Sequence, residues 1–122
     1  MASELRVNTL KDASGNNSVA TSTVFDGTAK AYVKGTNSAG LTDSYNVSGG
    51  TDNGTGDYTY AFTSNMASSN YIEMTNSTYA TLSAYDTNEL ATSSYNVRCF
   101  QRTDSITNVD DVNHSHITGD LA

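Results

Sequence analysis

Residues 57–63 alternate without a break: Tyr58, Tyr60 and Phe62 fall on one side, and Asp57, Thr59, Ala61 and Thr63 on the other. A period of two is the geometry of a β-strand with one buried face. Aromatic rings on one side only need a second layer to cover them, so this stretch already demands an opposing sheet. The pattern recurs. Ala29, Ala31 and Val33 oppose Lys30, Tyr32 and Lys34, and Ala80, Leu82 and Ala84 oppose Tyr79, Thr81, Ser83 and Tyr85. Residues 41–47, 71–75 and 95–102 are further strand candidates, separated by polar turns at 35–40 and a Gly- and Asp-rich connection at 48–56.

Composition removes the helical alternatives. Thr, Ser and Asn make up 47 of the 122 residues. Ser and Asn compete with helical backbone bonds, and Thr prefers strands. The expected fold is therefore all-β, a small antiparallel sandwich or barrel-like knob. Leu, Ile and Val number only 17. So few large aliphatics make a marginal core for a domain of this size, and a homotrimer is expected to supply the missing burial.

Three sections are expected. Residues 1–27 carry Leu5, Val7, Leu10, Val19, Val24 and Phe25 among polar residues and read as an arm for anchoring or assembly. Residues 28–102 form the β-rich knob. Residues 103–122 are polar and acidic and read as a C-terminal arm. Ser-Tyr-Asn-Val occurs at 44–47 and at 94–97, too short a match to establish a repeat.

The formal charge of −7 argues against nucleic acid and against an anionic membrane surface as partners. No run approaches the ~18 apolar residues of a membrane helix. The residues after Met1 lack the apolar stretch of a secretory leader, so none is expected. A lone Cys99 excludes an intrachain disulfide; it shares a strand face with Val97 and reads as a small buried residue.

Motifs for catalysis are missing. There is no phosphate loop and no nucleophile elbow. Most carboxylates lie in turns, where Asp bonds its own backbone. The run Asp52-Asn53-Gly54-Thr55-Gly56-Asp57 superficially suggests a calcium loop. Its twelfth position is Thr63 rather than Glu, so a turn leading into a strand is the better reading. No enzyme activity and no cofactor are expected. His114 and His116 lie two apart and would share one side of an extended chain. In a trimer, six imidazoles could form an octahedral transition-metal site; the alternative is a solvated pair. Tyr58 and Tyr60 read as packing residues, whereas Tyr71 and Tyr79 suit either a core or a sugar platform.

Four stretches carry a family resemblance. They are Ser3-Glu4-Leu5-Arg6-Val7-Asn8-Thr9-Leu10-Lys11-Asp12-Ala13-Ser14-Gly15-Asn16, then Ala29-Lys30-Ala31-Tyr32-Val33 with Asp43-Ser44-Tyr45-Asn46-Val47-Ser48, then Thr51-Asp52-Asn53-Gly54-Thr55-Gly56-Asp57-Tyr58-Thr59. Over roughly residues 3–100 the order and spacing resemble tail-fibre-like virion proteins of tailed phages, particularly those of cyanobacteria and other aquatic bacteria. The resemblance implies a trimeric β module on the tail or capsid surface of a virion. It implies as partners other copies of the chain, other virion proteins, and host surface glycan or protein. It carries no catalytic residues. The chain departs from that pattern in lacking a repetitive shaft and in continuing past Arg102, which keeps open a short spike or a capsid decoration protein.

Overall fold

The computed structural model describes residues 3–78, 82–85, 90–102 and 106–122. In chain order the elements are β1 (Thr9–Lys11), β2 (Ser18–Ala20), α1 (Thr21–Gly27), β3 (Ala31–Gly35), β4 (Leu41–Tyr45), β5 (Val47–Gly54), β6 (Asp57–Phe62), β7 (Ile72–Ser77), β8 (Leu82–Tyr85), β9 (Ser94–Arg102), β10 (Ile106–Asn108) and β11 (Asn113–Thr118). Among the described residues the chain is all-β apart from one short helix, and every strand pairing is antiparallel. One sheet runs β4-β3-β11-β7. The other joins β5, β6 and β9; β8 lies along the opposite edge of β9, and β10 pairs with its far end.

The two sheets enclose the core that the alternation predicts. Tyr58, Tyr60 and Phe62 of β6 point inward with Tyr95, Val97 and Cys99 of β9, and Ala31, Val33 and Ile117 cover them from the other sheet. Phe62 meets Tyr95 at 5.4 Å between centroids and Tyr71 edge-on at 5.6 Å. Tyrosine supplies the apolar area that the sparse aliphatics cannot. A single chain buries Tyr58, Tyr60 and Tyr95 completely, so the low aliphatic count does not by itself require a second copy.

A core built from tyrosine must satisfy its hydroxyls, because an unpaired buried one costs about 1–3 kcal/mol. Tyr60 Oη donates to Asn113 Oδ1 at 2.9 Å, and Tyr95 Oη bonds Ser115 Oγ at 2.5 Å. Tyr71 Oη lies 3.1 Å from the Ala91 carbonyl and 3.0 Å from that of Ser94. Tyr58 Oη is shared between the Asn37 carbonyl and Asp110 Oδ1. Gly35 makes room for one of these bonds: a Cβ there would stand 2.2 Å from Tyr60 Oη and 2.8 Å from Asn113 Oδ1.

Two expectations are corrected. Residues 103–122 do not form an arm throughout, because β11 lies inside the four-stranded sheet, paired with β3 on one edge and β7 on the other. Its inward residues include Asn113 and Ser115, which bond tyrosines, so the strand carries no hydrophobic alternation to read. Residues 48–54, expected as a connection, belong to β5, an edge strand paired only with β6. Gly49 and Gly50 leave that strand without a side-chain signal. The turn after it is as expected: Asp52 Oδ1 accepts from the Gly54 amide, and Gly56 adopts a left-handed φ of 68°.

Residues 3–27 form the β1–β2 hairpin and α1, with no buried residue in the helix. Lys30 ties α1 to the sandwich. Its Nζ donates to the Phe25 carbonyl and to Thr28 Oγ1, and it sits 3.9 Å from the centroid of the Phe25 ring. The expected alternation over 79–85 concerns side chains outside the described residues.

Candidate functional site

Directly opposed residues on antiparallel strands face the same way. The register of the sheet β4-β3-β11-β7 therefore defines its outer surface as cross-strand rows. One row is Tyr45, Tyr32, His116 and Met74; the next is Asp43, Lys34, His114 and Asn76. Thr118 and Ile72 form a third. Tyr45 is 53 % exposed, Tyr32 38 %, Met74 59 % and Ile72 65 %. The Tyr32 and Tyr45 rings are stacked, 6.1 Å apart and 24° from parallel. Exposed large apolar groups scattered singly mean little, but a contiguous set on one face marks a contact surface.

The strand presenting the histidines is held from behind. Inward Asn113 and Ser115 are bonded to Tyr60 and Tyr95, while outward His114 and His116 alternate with them. Beside them is a depression of about 330 Å³, lined by Met74, Thr75, Asn76, His114, Ser115 and His116. Thr75 Oγ1 donates to the His114 carbonyl at 3.1 Å. Presentation on a doubly paired strand keeps the side chains in fixed relative positions.

The histidine pair shares one face, as its spacing predicts. Among the described residues no group of three or more His, Cys, Asp or Glu stands ready to hold a metal. Tyr71 proves to be a core residue, and Tyr79 lies outside the described residues. Cys99 is buried, and burial pushes its thiol up to about 11, away from nucleophilic use.

Sequence reasoning missed the apolar half of the face. On β7, Ile72 and Met74 point outward and Glu73 points inward, the reverse of the usual pattern. Glu73 is buried with neither carboxylate oxygen hydrogen-bonded, and desolvation pushes it up to about 8. The signal was present as an apolar-acidic-apolar triplet, but its direction depends on which sheet covers it.

The opposite outer surface carries a polar hydrogen-bonded network around Asp57 and Thr59, with Asn96 Oδ1 buried outside it. Asp57 Oδ1 accepts from Asn53 Nδ2 at 3.1 Å and Asn96 Nδ2 at 2.6 Å, and its Oδ2 lies 3.6 Å from Arg98. Thr59 Oγ1 accepts from Asn53 and Asn96 as well. Those groups bond one another, whereas the Tyr–His face leaves rings and donors open. No family model, no curated protein and no solved structure matches this chain.

Proposed function

We propose that this chain is a virion structural protein of tail-fibre type, a non-catalytic module that attaches a phage to its host. The outer face of β4-β3-β11-β7 makes the contact. The observation that carries this reading is the open row Tyr45–Tyr32–His116–Met74 on a strand layer fixed from behind. The resemblance over residues 3–100 points the same way. Weak contacts at each copy add through effective concentration when copies are held together, and a homotrimer is the expected arrangement.

The second reading, a capsid decoration protein, draws on a different observation. Leu5, Val7, Leu10, Val24 and Phe25 are all exposed in residues 3–27. That apolar surface suits docking on another virion protein, as the root of a fibre or as a bridge on the shell. Immunogold labelling of intact virions with an antibody against residues 28–102 separates the two. Label on the tail is the expected result. Label over the head would replace attachment by shell stabilisation, and unlabelled particles alongside abundant protein in the lysate would overturn both.

A further inference from the structure

We propose that Asn53 is a site of spontaneous deamidation, and that its conversion to aspartate or isoaspartate unfastens the turn end of the β5–β6 hairpin. The site lies on the sheet opposite the Tyr45–Tyr32 row, so the inference is independent of the attachment reading. Of the chain's thirteen asparagines, Asn53 alone is followed by Gly. A residue without a Cβ leaves its backbone nitrogen open to attack a neighbouring carbonyl carbon. Gly54 has a φ of 132°, which residues with side chains rarely adopt, and a Cβ there would meet nothing within 4 Å. The backbone of the turn thus calls for glycine at the one place where glycine makes its neighbour labile.

Regular strand pairing would hold such a pair still, but it is interrupted here. The register with β6 shifts between Asp52 and Gly54, which leaves Asn53 in a bulge with no partner residue. β5 is an edge strand, and Asn53 is exposed. The Gly54 amide donates to Asp52 Oδ1 at 2.9 Å, so a carboxylate already faces the proton that the attacking nitrogen must give up. In the reaction Gly54 N bonds to Asn53 Cγ and loses that proton. The Cγ–Nδ2 bond breaks, and Nδ2 takes up a proton and leaves as ammonia. Water then opens the cyclic imide at one carbonyl to give aspartate, or at the other to give isoaspartate, whose backbone runs through Cγ. One water consumed and one ammonia released complete the balance.

The leaving nitrogen is the one that fastens the hairpin. Asn53 Nδ2 donates across the strands to Asp57 Oδ1 at 3.1 Å and to Thr59 Oγ1 at 2.8 Å. Both bonds are exposed, so water readily replaces them and they protect the amide little. Conversion removes both donors. A carboxylate then stands where the amide stood, against the carboxylate of Asp57, and like charges facing each other across a strand pair repel. Isoaspartate also adds an atom to the backbone just before the Gly54–Asp57 pair. Asp57 keeps Asn96 and Arg98 on its other side, which confines the damage to the turn end.

The test incubates the full chain at pH 8 and 37 °C and maps conversion by peptide mass spectrometry with isoaspartate-specific methyl labelling. Asn53 should convert at least about tenfold faster than any other asparagine, because its neighbour alone lacks a Cβ. The product should carry one negative charge more than the formal −7. Asn53→Gln should abolish the conversion, since the longer side chain closes its ring far more slowly. Hydrogen exchange in the aged protein should rise over residues 52–57 and stay unchanged in β9 and β11, and Asn53→Asp should reproduce that pattern without ageing. Conversion no faster than at the other asparagines, or far slower in the folded chain than in guanidinium, would overturn the site. An Asn53→Asp protein that exchanges as the parent does would overturn the unfastening.

Discussion

Ser44-Tyr45-Asn46-Val47 ends the edge strand β4 and turns the chain into the other sheet, while Ser94-Tyr95-Asn96-Val97 opens β9, which is paired on both edges. Both valines face the core. In the second copy Tyr95 faces the core as well, as two residues apart on a strand must. In the first, Tyr45 points to solvent. Asn46 is the cause: its φ of 54° breaks the pleat and reverses the parity of the residues beyond it. Its side chain holds the corner, donating to the Ser64 carbonyl at 3.0 Å and accepting from the Ser64 amide at 2.7 Å. One left-handed residue thus puts the same tyrosine inside at one site and on the outer face of β4-β3-β11-β7 at the other.

The largest effect should come from emptying the inner position. Tyr95→Ala is expected to cost about 3–5 kcal/mol, the range for removing a buried aromatic ring. Tyr45→Ala should stay within about 0.5 kcal/mol, as for exposed residues. Urea unfolding of both variants measures the difference; similar losses would mean that the two environments are not as described.

Next comes pH. Glu73 lies close enough to Tyr95 to influence its ionisation, and burial raises its folded pKa from 4.5 to about 8. The folded state then holds a proton that the unfolded state has released. The stabilisation is fully present below about pH 4.5 and is lost as pH rises to about 8, at up to about 1.4 kcal/mol per pH unit. Glu73→Gln should flatten this slope and raise stability at pH 8. An unchanged slope in denaturation curves across that window would show that another group is responsible.

The smallest effect sharpens the corner itself. Asn46→Ala loses both side-chain bonds and keeps an unfavourable φ, and should cost about 1–2 kcal/mol. Asn46→Gly relieves the backbone and loses only the bonds, so it should cost less. If Gly proves the worse replacement in thermal unfolding, the positive φ is not what sets the parity.

The same comparison explains what the sequence made legible. The faces of β3, β6 and β9 follow from alternation, since Ala31, Val33, Tyr58, Tyr60, Val97 and Cys99 all point inward. The common side of His114 and His116 follows from their spacing. Hidden were the elements whose inner face is polar or absent: Asn113 and Ser115 on β11, Glu73 on β7, and Gly49 and Gly50 on β5. The neighbours of β11 were hidden for another reason. Ala31 meets Ile117 across nearly the whole chain, and no local pattern encodes such a pairing.

That pairing sets the order of events at the ribosome. β3 and β7 emerge early, but the strand that joins them is complete only when residue 118 is out. Until then each nascent copy carries two unfilled strand edges, and contacts so distant in sequence form slowly. Synthesis of many copies on one messenger brings such edges together while they are still open. Completion of β11 fills both of those edges at once.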